Sequence, residues 1–106
     1  MADPKMYVLI RDDVPRDIVP LITGHVVHFT LRTFHDSPLM KKWYESESGK
    51  LVVCKVTAAQ FEEAKAKGEY VAITEIHHQE MGEIGLGFNI RRWYDEFFTS
   101  LPLYAV

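Results

Sequence analysis

At 106 residues, 47% apolar and 25% charged, the chain is long enough for one domain with its own core and too short for two. That balance excludes disorder, and a net charge of −3 argues against a generic nucleic-acid binder, which needs a basic excess to neutralise phosphate. The single cysteine, Cys54, excludes an intrachain disulfide and lies in an apolar run, so it reads as a small buried hydrophobe in a cytoplasmic protein. No apolar run reaches the length of a membrane span, and the charged start from Met1 to Lys5 is not that of a signal peptide.

In chain order, Met6–Arg11 (MYVLIR) is a short apolar run of strand length, expected to be buried and closed by Asp12 and Asp13. Asp17 is then placed as an N-cap, with Pro20 in the first turn of a helix running from Ile18 to His35. Apolar residues cover most of that helix's circumference, which predicts burial. One arc escapes. At about 100° per residue, His25, His28, His35 and Arg32 share a single sector with Leu21 and Gly24. Three histidines and an arginine in one stripe are the strongest site signal in the chain, because interiors rarely keep such groups without a partner or a use.

Asp36, Ser37 and Pro38 stop this helix and start a second, Leu39–Tyr44, with Leu39 and Trp43 turned inward. Ser46, Ser48 and Gly49 make a polar loop. Lys50–Val56 (KLVVCKV) follows as a strand whose unbroken middle predicts burial on both faces, as in a parallel or central strand. Thr57 caps a helix over Ala58–Lys67, packed through Phe61 and Ala64 and stopped by Gly68. Tyr70–Ile76 is a third strand that ends in His77, His78, Gln79 and Glu80. Glu83–Ile90 is a fourth, whose Gly85 and Gly87 allow close backbone approach. Arg91–Phe98 is a terminal helix or turn burying Trp93 and Phe97; Met40, Trp43, Phe97 and Phe98 fit either the core or a dimer face. The order β-α-α-β-α-β-β-α implies an α/β sandwich on a mostly parallel sheet, with one antiparallel pair where the connection is short.

Ligands in such folds collect at the carboxyl ends of the strands. Arg11 and Asp13, the amino half of the long helix, and Glu75 to Gln79 would lie near that edge, which lets the His25/His28 stripe face Glu75, His77 and His78. Three chemistries follow. A histidine with a carboxylate such as Glu75 can activate water for hydrolysis. The same cleft can bind a nucleotide, an RNA end or a protein without cleaving it, in which case Arg11, Arg16, Arg32, Arg91 and Arg92 should form one patch. His25, His28 and one of His77, His78 or Glu75 can hold Zn²⁺ or Ni²⁺. Phosphate-loop, serine-elbow and cysteine-pair signatures are absent, and no cofactor is expected.

The segments YVLIRDD, GHVVHFTL, GKLVVCKV, AKAKGEYVAITE and EIGLGF, in order along nearly the whole chain, resemble the small α/β peptidyl-tRNA hydrolases of archaea and eukaryotes. The resemblance implies a single domain over residues 1–106 with the peptidyl-tRNA hydrolase II fold: a three-layer α/β/α sandwich around a four-stranded mixed sheet. It also implies cleavage of the ester of peptidyl- or N-blocked aminoacyl-tRNA, with tRNA or a nucleotide-like molecule as ligand, and a possible homodimer. The family's helix carries a Lys and then Gln-x-x-His-Ala; here His28 stands at the His, His25 at the Gln, Phe29 at the Ala and Leu21 near the Lys. The family's catalytic Asp falls on or next to Glu75. On this reading His28, His25 and Glu75 are catalytic, while Arg11, Asp13, Arg32, His77, His78 and Gln79 bind substrate.

Overall fold

Alternate side chains of the first strand, β1 (Lys5–Arg11), go to opposite faces of the sheet, and both sets are buried. Met6, Val8 and Ile10 meet one cluster; Tyr7 and Leu9 meet another. A strand buried on both faces needs cover on both sides, and this sets the layering of the molecule. The computed structural model describes residues 3–46 and 49–104. Met1 and Ala2 of the charged start and Ser48 of the expected polar loop lie outside them.

The cover on the first face is α1 (Val19–Thr33), through Val19, Ile22 and Val26, together with Met40 of α2 (Pro38–Glu45). On the second face lie Phe61 and Ala64 of α3 (Ala58–Ala64) and Phe98 of α4 (Glu96–Thr99). Burying each large apolar side chain of these clusters contributes about 1.5–3 kcal/mol. The remaining strands are β2 (Lys50–Val56), β3 (Tyr70–Thr74) and β4 (Glu83–Phe88). The expected element order is present, and the sheet is mixed.

Sheet order is β2-β1-β4-β3. The β1/β2 pair is parallel, while β4 runs antiparallel to both β1 and β3. The expectation of a mostly parallel sheet is therefore corrected. The short β3–β4 connection makes that pair antiparallel, as expected, but β4 then inserts between β3 and β1 and turns a second pairing antiparallel. The glycines of β4 permit this: a Cβ at Gly87 would stand 1.9 Å from Thr30 Oγ1, and one at Gly85 would stand 2.8 Å from Val26 Cγ2. Helix α1 lies directly on the bare backbone of β4.

Other expectations shift. β2 has its expected bounds and parallel partner but sits at the edge, with Lys50 and Leu51 exposed. α1 begins after a 3-10 turn, Arg16–Ile18, that includes Asp17; the N-cap is Ile18, and no side chain caps the helix. α3 ends at Ala64 rather than Lys67, though Thr57 forms its cap in a reciprocal box with Gln60. The terminal helix shrinks to Glu96–Thr99 and Trp93 is 75% exposed, because the segment before it follows β1 in an extended Lys5–Arg91 bridge. Cys54, Met40 and Phe98 are fully buried, and the partly buried Trp43 and Phe97 pack against the two cores, so all five side chains serve the chain's own packing.

Candidate functional site

Only Val19, Ile22, Val26 and Thr30 of α1 are buried. Leu21, His25, His28, Phe29, Arg32 and His35 are all exposed, so the expectation that most of this helix is enclosed is corrected. The sheet covers one side of α1 and, among the described residues, no element covers the other, leaving even Leu21 and Phe29 at 47% and 39% exposure. The His28 ring meets Phe29 edge-on with centroids 5.1 Å apart. His35 is used locally at the helix end, turning Nδ1 to the Arg32 carbonyl at 2.9 Å and Nε2 to Asp36 at 3.1 Å.

The stripe is nevertheless not uniform around the helix. Pro20 and Thr23 face β2, whereas α1 as a whole packs over β1, β4 and β3. At about 100° per residue, His25 and Arg32 fall on the flank opposite Thr23 and so on the β3 side, while His28 points further out to solvent.

β3 stops at Thr74, and Glu75 takes an extended conformation as N-cap of a 3-10 segment, Ile76–Met81. Its carboxylate Oε2 accepts the His77 backbone N–H at 2.8 Å, satisfying a donor that the start of a helical turn leaves without a partner. The first helical turn also swings His78 back, and its Nδ1 lies 2.7 Å from the same oxygen. Glu75 is only 2% exposed, whereas the His78 side chain remains one-third open to solvent. The His78 hydrogen bond holds the Glu75 carboxyl below its ordinary range, and the carboxylate in turn raises His78. Glu80 and Asp17 raise His78 further.

Arg11 closes β1 at the same end of the sheet. Its Nη1 donates to the carbonyls of Met81 at 2.8 Å and Glu83 at 3.0 Å, tying β1 to the end of the 3-10 segment and the start of β4. Its Nε and Nη2 grip both carboxylate oxygens of Asp13, which lowers Asp13 and raises Arg11. Arg11 and Asp13 thus neutralise each other while bracing the segment that carries His77, His78 and Gln79; His77 and Gln79 are exposed on it.

The expected candidates therefore divide. Glu75 and His78 are in contact, Arg11 and Asp13 brace their segment, His25 and Arg32 stand on the flank of α1 facing β3, and His28 lies furthest out. No hydrogen bond joins the α1 histidines to Glu75 among the described residues. The same residues contain no cluster of three His, Cys, Asp or Glu able to hold a metal. The arginines form no single patch: Arg91 bridges Lys5 at one end of β1 and Arg11 lies at the other, about 20 Å away at the rise of a strand.

Sequence reasoning placed Glu75, His77 and His78 in one cluster but gave Glu75 to catalysis and His78 to substrate binding, and missed the direct contact between the two. The signal was the i, i+3 spacing of a carboxylate and a histidine across a helical start, legible only once the third strand is seen to stop at Thr74. Asp17 beside His78 was missed as well, having been assigned to a helix cap. No protein-family model matches the chain, and no curated protein matches it.

Proposed function

We propose that this chain is a diverged peptidyl-tRNA hydrolase-like protein that cleaves an acyl ester, with Glu75 and His78 as its carboxylate–imidazole pair. The observation that carries this reading is the 2.7 Å contact between a buried carboxylate and a partly open imidazole at the carboxyl end of the strands. In the neutral imidazole Nδ1–H donates to Glu75, so Nε2 is the unprotonated nitrogen. Nε2 takes a proton from a water as its oxygen attacks the ester carbonyl. The tetrahedral intermediate collapses, the proton passes from Nε2 to the leaving ribose oxygen, and acid and alcohol are released. Glu75 holds the tautomer and stabilises the imidazolium formed on the way.

In this scheme His25 and Arg32 contact the acyl group or the terminal phosphate from the β3 flank of α1. His28, His77 and Gln79 line its outer margin. The element order and the carboxylate at Glu75 support the resemblance on which the ester class rests. A homodimer belongs to the same reading, and sedimentation equilibrium would detect it. A second reading, binding of a small ligand in the same cleft without cleavage, rests on Leu21 standing near the family's lysine; the separation of Arg91 from Arg11 counts against a form of it that grips nucleic acid.

The test is release of the blocked amino acid from N-acetyl-aminoacyl-tRNA by purified wild type, His78→Gln, Glu75→Gln and His28→Ala, with folding checked by circular dichroism. His78→Gln should lose about 10²-fold or more in kcat, as removal of a general base does. His28→Ala should lose far less. A folded wild type without cleavage leaves the binding reading in place.

A further inference from the structure

The two outer strands of the sheet are treated differently. On β2, Lys55 N–H donates to the Pro102 carbonyl at 3.0 Å and Tyr104 N–H to the Val53 carbonyl at 2.9 Å, so later residues of the chain cover that edge. On β3, no backbone group bonds to the outer edge among the described residues. Uncovered edges are templates for another strand, and native sheets commonly blunt them with charge, proline or cover. Tyr70–Thr74 has neither charge nor proline. Its one irregularity is a shift of register between Ile73 and Thr74, at the end that runs into Glu75.

We propose that the acyl part of the substrate is an extended peptide that pairs with β3 as a fifth strand, parallel to it, with its terminal carbonyl at His78. The proposal rests on the ester-cleaving role of Glu75 and His78 and adds the class of acyl group they receive. Three observations single out this occupant. The open edge of Tyr70–Ile73 offers backbone donors and acceptors at strand spacing, and another peptide backbone is what matches them. The strand leads directly into Glu75, which lies 2.7 Å from His78, so a peptide laid along β3 delivers its carboxyl end to that pair only if it runs parallel. An exposed aromatic ring also flanks the edge on each face. Thr30 of α1 and Val71 of β3 both meet Gly87, which brings Phe29 level with Val71 on the flank of α1 that faces β3. Val71 points to the α1 side, so Tyr70 stands on the opposite face. Tyr70–Ile73 spans about 13 Å, room for about four residues before the scissile carbonyl. A second copy of the chain fits less well, because two β3 strands paired about Ala72 would set Glu69 opposite Glu75, carboxylate against carboxylate.

The probe is acetyl-Thr-Val-Thr-Val with a free carboxylate, the product of such an ester, titrated into the ¹⁵N-labelled protein. Saturable amide shifts are expected along Tyr70–Thr74 and at Phe29. Alternate N–H groups of a paired strand face its neighbour, so N-methylating either both threonines or both valines should weaken binding about tenfold, and the other pair much less. Phe29→Ser should weaken it about fivefold. Leu103→Asp, at an exposed side chain beside β2, should leave it unchanged. No saturable shifts along β3 would overturn the proposal, as would equal weakening by the two methylations or shifts confined to Leu51–Val53. So would a dimer that Tyr70→Lys with Thr74→Lys dissolves and the peptide does not displace, since the edge would then belong to a second copy. Binding along β3 without ester cleavage would sustain the strand pairing and overturn the hydrolytic reading. Cleavage at a rate indifferent to acyl-peptide length, with no shifts along β3, would do the reverse.

Discussion

Glu75 and His78 titrate in opposite directions from their ordinary values, and that gives their contact a pH signature. The lowered Glu75 contributes stability that is present above its ordinary value of 4.5 and is lost as pH falls through its folded value. The raised His78 contributes stability that is complete below 6.5 and is lost as pH rises through its folded value. The pair therefore stabilises most between about pH 4.5 and 6.5. Urea midpoints of wild type and His78→Gln should differ most in that window and converge above it. A difference that is constant with pH would show that His78 acts through packing alone. Both residues were named from the sequence; their contact was not, because it depends on a helical turn starting at Ile76, where alternation predicted continued strand.

Among the elements, two glycine substitutions should act in opposite senses, one inside the contact of α1 with β4 and one on the far side of α1. At Gly87 a methyl group would strike Thr30 Oγ1, which is fully buried and donates to the Val26 carbonyl at 2.6 Å. Gly87→Ala should cost about 1–3 kcal/mol in urea unfolding. At Gly24, on the exposed side of α1, a Cβ would meet nothing within 4 Å, so Gly24→Ala should stabilise by about 0.5–1 kcal/mol. Thr57→Ala, which removes one half of the capping box on α3, should cost about 1 kcal/mol. Close approach at Gly85 and Gly87 was legible because glycine within a strand often marks a place where another element comes near the backbone. The extent of the last helix was not, since the Arg91–Phe98 pattern fits a helix equally well and only the long-range bridge to Lys5 draws it out.

For the whole molecule, two buried faces on β1 and the alternation of strands and helices made the layering readable in advance. The insertion of β4 between β1 and β3 was not readable, because local patterns carry no information about which distant strand becomes a neighbour. The same limit applied to α1. An apolar circumference predicted enclosure, but with one sheet beneath it and no described residue closing over its outer side, the helix shows its histidines to solvent. Among the described residues no helix is long and apolar enough to cross a membrane. The charge distribution also belongs to this scale: with Arg11 paired to Asp13 and Arg91 at the far end of β1, any tRNA contact would be confined to the acylated end rather than spread along a basic face.

The most direct test of the Glu75–His78 pair as the hydrolytic centre is the pH profile of N-acetyl-aminoacyl-tRNA cleavage, measured for wild type and Glu75→Gln. Wild-type rate should rise with pH through a midpoint above 6.5, as the raised imidazole gives up its proton, and that midpoint should move down in Glu75→Gln along with a fall in rate. Cleavage with the same midpoint in both proteins, or no cleavage at any pH by a folded wild type, would contradict it.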